Sequence, residues 1–294
     1  MKDYIVRATA ADGNIRAFAA TTTNLVGEAQ KIHSLYPIAS AALGRTMTAA
    51  VMMAIDMKGQ GDTLSIVIKG EGPIGSIVVV TKNDGNTKGY VDNPHVELPL
   101  NSQGKLDVSG GVGKQGKLTV IKDLGLKEPY AGQVDLVTGE IGEDIAYYMA
   151  FSEQKPSAVG LGVLVNPDGS IRAAGGFIIQ PLPGAPVELI DEIEARISQI
   201  PPISTMIDQG MKPEEILGKV LGSMNLKIND MAHPVFACDC NRPRLESVLL
   251  TIGKKELEAI LEDDGQAELV CHYCNTTYNF NEQDIRRLIE NAEV

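Results

Sequence analysis

All four cysteines of this 294-residue chain fall within a stretch of 37 residues: Cys238-Asp239-Cys240, then 30 intervening residues, then Cys271-His272-Tyr273-Cys274. Two close pairs separated by a small folding unit can place four sulfurs tetrahedrally around one zinc ion, which takes thiolates at about 2.3 Å. A closed four-sulfur site leaves no position for water and is therefore structural. The tract that carries it, residues 233–294, has few large apolar side chains. At that size a core is marginal and a metal often supplies the missing stability. The pattern predicts one zinc per chain on Cys238, Cys240, Cys271 and Cys274. His272, between two of them, and His233, just before them, are expected to be packing or solvent-facing residues.

A zinc knob with no role beyond folding is the simplest reading, and two features add to it. The first pair is CxC, tighter than the usual CxxC knuckle, so its sulfurs are close enough to oxidise to each other without long-range rearrangement. The second feature is charge: residues 234–294 hold 12 acids and 6 bases, and four thiolates on one zinc add about two further negative charges. Such a surface argues against a ribbon that grips nucleic acid. The whole chain, at net charge −12 and pI near 4.8, likewise repels phosphate backbones and anionic lipid.

The remainder reads as a globular body. Strand patterns flank Asp12-Gly13 over residues 4–21, and small and apolar residues run helically over 24–33 and 38–57. LSIVIKG, GSIVVVT and KGYVD form a meander punctuated by Asn83-Asp84-Gly85. LTVIKD and GQVDLVTG continue the strands, EDIAYYMAFSEQ predicts a helix, and SAVGLGVLV with IRAAGGFIIQ predicts a second hairpin. The expected class is α+β, with a large N-terminal α/β body over 1–184, a helical linker over 185–232 and a small C-terminal zinc-binding domain over 233–294. In the linker, Ile190, Ile193 and Ile197 recur at helical spacing and need a surface to dock on.

Other patterns lead nowhere. Gly111-Val-Gly-Lys-Gln-Gly116-Lys117-Leu118 nearly spells a phosphate-binding loop, but Leu118 stands where a magnesium-binding Ser or Thr belongs, and a strand follows where a helix is needed. His33 and His95 belong to no nucleophile or metal pattern, and the methionines at 47, 52, 53 and 57 suit a helix core. Thr46–Ile55, the most apolar stretch, is too short to cross a membrane. The first residues, MKDYIVRATA, lack the apolar run of an export signal. A cytoplasmic protein is expected, in which cysteines do not form a standing disulfide framework.

Taken together, the CxC and CxxC pairs and the motifs ASAALGRTMTA (39–49), EGPIG (71–75), VIKDLG (120–125), TGEIGEDIAYYMAFSEQKPSAVGLGVLV (138–165), AAGGFIIQPLPG (173–184) and EDDGQAELVCHYC (262–274) are similar to the bacterial redox-regulated chaperones of the thirty-three-kilodalton heat-shock family. The resemblance spans essentially the whole chain. It implies an ATP-independent holdase, not an enzyme, that binds unfolding client proteins. It also implies an inactive state when reduced and zinc-bound, activation by oxidants, and a homodimer when active, without nucleic acid or membrane partners. Carried over by position, the zinc thiolates are Cys238, Cys240, Cys271 and Cys274, and the oxidised form pairs Cys238 with Cys240 and Cys271 with Cys274. Two readings from other classes compete with it: a thiol-disulfide oxidoreductase using the CxxC pair, and a purely structural zinc adaptor. CHYC lacks the strand-to-helix setting of a thioredoxin-like site.

Overall fold

Asp12 and Gly13, at φ 52° and 94°, supply the left-handed turn that closes the first hairpin, β1 (Tyr4–Ala10) on β2 (Ile15–Thr21). The computed structural model describes residues 2–291, so Met1 and the last three residues of the expected 233–294 tract lie outside the described residues. Two helices follow the hairpin, α1 (Thr23–His33) and α2 (Pro37–Ala54). Next come β3 (Thr63–Gly70), β4 (Ser76–Lys82) and β5 (Asn86–Val91), the short α3 (Val108–Val112), then β6 (Gly116–Asp123) and β7 (Tyr130–Asp135). Helix α4 (Gly142–Phe151) leads to the hairpin β8 (Ala158–Val165) and β9 (Ile171–Pro181). The next segment carries α5 (Val187–Ile197), α6 (Ile203–Asp208), α7 (Pro213–Leu221) and two further strands, β10 (Lys227–Ala232) and β11 (Val235–Phe236).

These strands form two sheets, ordered β10-β1-β2-β9-β8 and β11-β5-β4-β3-β6-β7. Helix α2 touches both of them, and 16 of its 18 residues are buried. A helix that is apolar all round belongs inside a core. Small residues make the fit possible: a Cβ on Gly44 would come within 2.6 Å of Val26 and 2.9 Å of Val163. In the six-stranded sheet, β3, β4 and β5 alternate between buried and half-exposed positions, as a sheet with one covered face requires. The five-stranded sheet is different. Its second face packs against α6 and α7 through a cluster that includes Val6, Ala17, Ala19, Phe177, Met206, Ile216 and Leu217. With both faces covered, β9 is buried continuously from Ala173 to Gln180.

The chain divides into two compact units between Ala237 and Cys238. Residues 233–237, which sequence reasoning placed with the cysteines, lie on the first side because β11 pairs in parallel with β5, Val235 opposite Asn86. Within 185–232, Ile193 is buried in the cluster against the sheet, with Ile197 partly buried against it. The same region also contains a strand that no pattern announced, since β10 joins the sheet edge at β1 while its own side chains stay largely exposed.

The second unit is small. It comprises α8 (Arg242–Thr251), α9 (Lys254–Asp263), the hairpin β12 (Ala267–Val270) and β13 (Thr277–Phe280), and α10 (Glu282–Asn291). Five fully buried apolar residues, Leu249, Leu257, Phe280, Ile285 and Leu288, form its core.

Candidate metal centre

Each cysteine pair is fixed by its own local structure. Cys238 and Cys240 immediately precede α8, where Asn241 caps the helix by accepting from the Arg244 N–H at 3.0 Å and Pro243 occupies the first turn. Cys271 and Cys274 occupy the turn joining β12 to β13. Its closure comes from Cys271 N–H to the Thr276 carbonyl at 3.0 Å and from Asn275 N–H to the Cys271 carbonyl at 2.8 Å, with Asn275 at φ 54°. A knuckle between two strands is not the helix N-terminus at which a thioredoxin-like CxxC is activated.

These two devices converge on one point. The four Sγ atoms lie within 4.8 Å of one another, and among the described residues this is the one group of three or more potential ligands placed to hold a metal ion. Cys238 and Cys271 Sγ are 3.7 Å apart, and Cys240 and Cys274 Sγ 3.3 Å. All four are free thiols, well beyond the roughly 2.05 Å of a disulfide. Sulfurs bound at about 2.3 Å to one tetrahedral centre would stand about 3.8 Å apart, so the spacing suits such an ion and the donor set suits a thiophilic dication. Neither histidine is in the group. His233 lies in the first unit, where its Nδ1 is 3.1 Å from the Asp3 carbonyl oxygen.

Electrostatics make the same point. Burial pushes the Cys238 thiol up to about 12 and raises that of Cys240. Burial acts on Cys274 in the same direction, but hydrogen bonds from Thr276 and the neighbouring thiols outweigh it and bring that group down to about 7. Half-buried thiols crowded together resist carrying several negative charges unless a cation sits among them. Two contacts escaped sequence reasoning: the Tyr278 hydroxyl lies 3.2 Å from Cys240 Sγ, and Thr276 Oγ1 lies 3.2 Å from Cys274 Sγ. Tyr278 is on β13 and Thr276 immediately precedes that strand, close behind the second pair, but no spacing rule marks them.

Comparison with known proteins places this geometry. A family model described as Hsp33 protein matches residues 3–281. The 33 kDa chaperonin of Acetivibrio thermocellus is 53% identical over 293 residues, covering 100% of this chain and 99% of the relative; that of a Geobacillus species is 51% identical with the same coverage. The crystal structure of the 33 kDa chaperonin (heat shock protein 33 homolog) of Thermotoga maritima superposes with a TM-score of 0.91 at 38% identity, covering 99% of each chain. Matched end to end in sequence and in fold, the chain belongs to the Hsp33 family.

Proposed function

We propose that this chaperone-family protein is a cytoplasmic, redox-regulated, ATP-independent holdase, and not an enzyme, whose switch is the four-cysteine centre. The observation that carries the reading is the convergence of all four sulfurs within 4.8 Å in a unit whose described residues bury only five apolar side chains. Cys238, Cys240, Cys271 and Cys274 would hold one zinc per chain. When bound, zinc keeps the sulfurs as thiolates and ties the α8 segment to the β12–β13 turn, a contribution of roughly 10 to 16 kcal/mol in small zinc peptides.

Oxidation acts on the cysteines themselves. Within each pair, Cys238 with Cys240 and Cys271 with Cys274, two thiolates would give up two electrons to form one S–S bond, while one hydrogen peroxide accepts them together with two protons from solvent and becomes two waters. A disulfide is a poor zinc ligand, so the C-terminal region loses its tie. On this reading the molecule works in three parts: a body over 1–184 that stays folded, a linker over 185–232 whose apolar stripe is released, and a zinc-binding domain over 233–294 that unfolds. The exposed apolar surface then binds unfolding clients, with the protein acting as a homodimer and without nucleic acid or membrane partners.

The test is light scattering from a heat-denatured client enzyme, without nucleotide, before and after peroxide. Scattering should fall only with the oxidised protein; equal scattering in both states would remove the holdase reading. Non-reducing peptide mapping should recover the two local disulfides, and a dominant Cys240 to Cys271 link would contradict the proposed switch.

A further inference from the structure

The four sulfurs of the metal centre are not equivalent toward solvent. At its sulfur Cys271 is buried, whereas Cys238, Cys240 and Cys274 are half-buried. Cys274 stands at the open side of the centre, because the residues that follow it in the turn, Asn275, Thr276 and Thr277, are all exposed. Thr276 supplies a second feature. Its Oγ1 lies 3.2 Å from Cys274 Sγ, and its backbone carbonyl accepts from Cys271 N–H at 3.0 Å. That backbone bond fixes Thr276 over the turn, so the fold itself sets the hydroxyl beside the sulfur. Cys240 also has a hydroxyl neighbour, Tyr278 at 3.2 Å, but that residue is half-buried in β13. An oxidant arriving from water meets Thr276 first.

A peroxide needs two things at a sulfur: a line of approach, and a donor for the oxygen that leaves. When a thiolate attacks hydrogen peroxide the O–O bond breaks and negative charge develops on the departing oxygen. A hydrogen-bond donor already fixed where that charge appears lowers the barrier. A hydroxyl in contact with the sulfur can reach an oxygen lying in line behind the one under attack. Zinc, when bound, supplies the sulfur as a thiolate at neutral pH.

We propose that within the second pair Cys274 is the sulfur that hydrogen peroxide attacks, Cys271 is the sulfur that resolves, and the Thr276 hydroxyl is the donor that speeds the first step. The Cys274 thiolate bonds to one peroxide oxygen and becomes a sulfenic acid. The other oxygen leaves as hydroxide, hydrogen-bonded to Thr276 Oγ1, and takes a proton from water. The Cys271 thiolate then displaces the sulfenic hydroxyl, so that the S–S bond forms and a second hydroxide departs to be protonated by solvent. The two sulfurs lie within 4.8 Å, and their turn is already closed by Cys274 N–H on the Cys271 carbonyl at 3.3 Å. Burial suits Cys271 to the second role, because a resolving sulfur must reach its partner and has no need to meet the oxidant. The inference rests on the redox-switch reading and adds which sulfur is struck and which side chain assists.

The experiment uses reduced, zinc-loaded, full-length protein and its Thr276→Val and Thr276→Ser variants, with zinc release followed by a chromophoric chelator. Valine keeps the shape of the side chain and removes the hydroxyl; serine restores it. Release driven by hydrogen peroxide should slow about tenfold in Thr276→Val, less than the roughly 100-fold loss typical of a buried donor because water partly substitutes. It should recover in Thr276→Ser. Release driven by a nitroaryl disulfide, whose thiolate leaves without needing a proton, should be the same in all three proteins. An unchanged peroxide rate in Thr276→Val, or equal slowing with both oxidants, would overturn the role of Thr276. A sulfenic acid trap present during a brief peroxide pulse should mark Cys274 in peptide mapping, and a mark on Cys271 would overturn the assignment of the two sulfurs. Client scattering with the oxidised proteins keeps the two readings apart. Suppressed aggregation without the oxidant contrast defeats this inference alone, whereas the contrast without suppression defeats the holdase reading and leaves the chemistry of the pair in place.

Discussion

The two units of this chain keep their shape by different means. The first wraps two sheets around α2, with Leu43, Met47 and Met52 fully buried between them, and adds a second cluster beneath α6 and α7. The second folds α8, α9, a two-stranded hairpin and α10 around five fully buried side chains, with Arg242 spread 4.5 Å over the Phe280 ring and paired to Asp284 at 2.7 Å. Apolar burial contributes about 25 cal/mol per Å², so the first unit has the means to stand alone while the second sits near the limit of what a small core can do. A switch belongs where stability depends on one removable element, and the cysteine centre is in the second unit.

Removing that element is the strongest way to break the contrast. Chelation of the reduced protein, or Cys238→Ser, should melt the C-terminal unit with a loss on the order of 10 kcal/mol of apparent folding free energy. Hydrogen exchange should then show α8, α9 and α10 unprotected while α2 and β3 keep their protection. Simultaneous loss in α2 would mean that the units share one cooperative transition, and the contrast would fail.

The reverse experiment weakens the body alone. Leu43→Ala in α2 removes a fully buried side chain and should cost about 2 to 5 kcal/mol. Its melting transition should fall while metal analysis of the reduced protein still returns one zinc per chain. A parallel loss of zinc would show that the metal centre depends on the body.

Where sequence reasoning succeeded and where it fell short follows the same physical line. Side-chain pattern is readable: Asp12-Gly13 marks its turn, the uninterrupted apolar run marks α2, and the cysteine spacing marks a four-sulfur centre. Pairing carried by the backbone is not. Strand β10 holds its place by pairing Ile5 to Ala232 and Arg7 to Asp230 while nearly every residue of it is exposed. Two residues of β11 suffice to assign 233–237 to the body. Neither segment has an alternation of apolar and polar residues to betray it. Tyr278 is silent for another reason, because a tyrosine in a strand ordinarily signals packing and only the folded hairpin brings its hydroxyl to Cys240.

A smaller and more local perturbation tests the linker. Ile193 is 4% exposed against the five-stranded sheet, and Ile193→Asp would bury an unpaired carboxylate at a cost of about 3 to 5 kcal/mol. On the proposed mechanism the reduced variant should suppress client aggregation without peroxide while retaining its zinc. If exchange shows α5 undocked and the zinc-loaded variant stays inactive, linker release is insufficient and the contrast must be redrawn with the binding surface elsewhere.

The finest perturbation lies inside the metal centre. The Tyr278 hydroxyl is 3.2 Å from Cys240 Sγ, and a hydrogen bond to a ligand sulfur orients it and disperses its charge; losing such a partner typically weakens metal binding by 10- to 100-fold. Because this contact is partly open to solvent, the lower end applies, and Tyr278→Phe should bind zinc about tenfold more weakly in competition with a chromophoric chelator. The fold should remain, since the ring stays in place and only one oxygen is lost. His272→Ala serves as the internal control: it lies between Cys271 and Cys274 in sequence but outside the sulfur cluster, and the zinc affinity of this variant should not change. A drop with His272→Ala and none with Tyr278→Phe would replace the all-sulfur centre by one with a nitrogen ligand. Such a centre would answer oxidants through three thiols rather than four, and one of the two local disulfides would no longer be part of the switch.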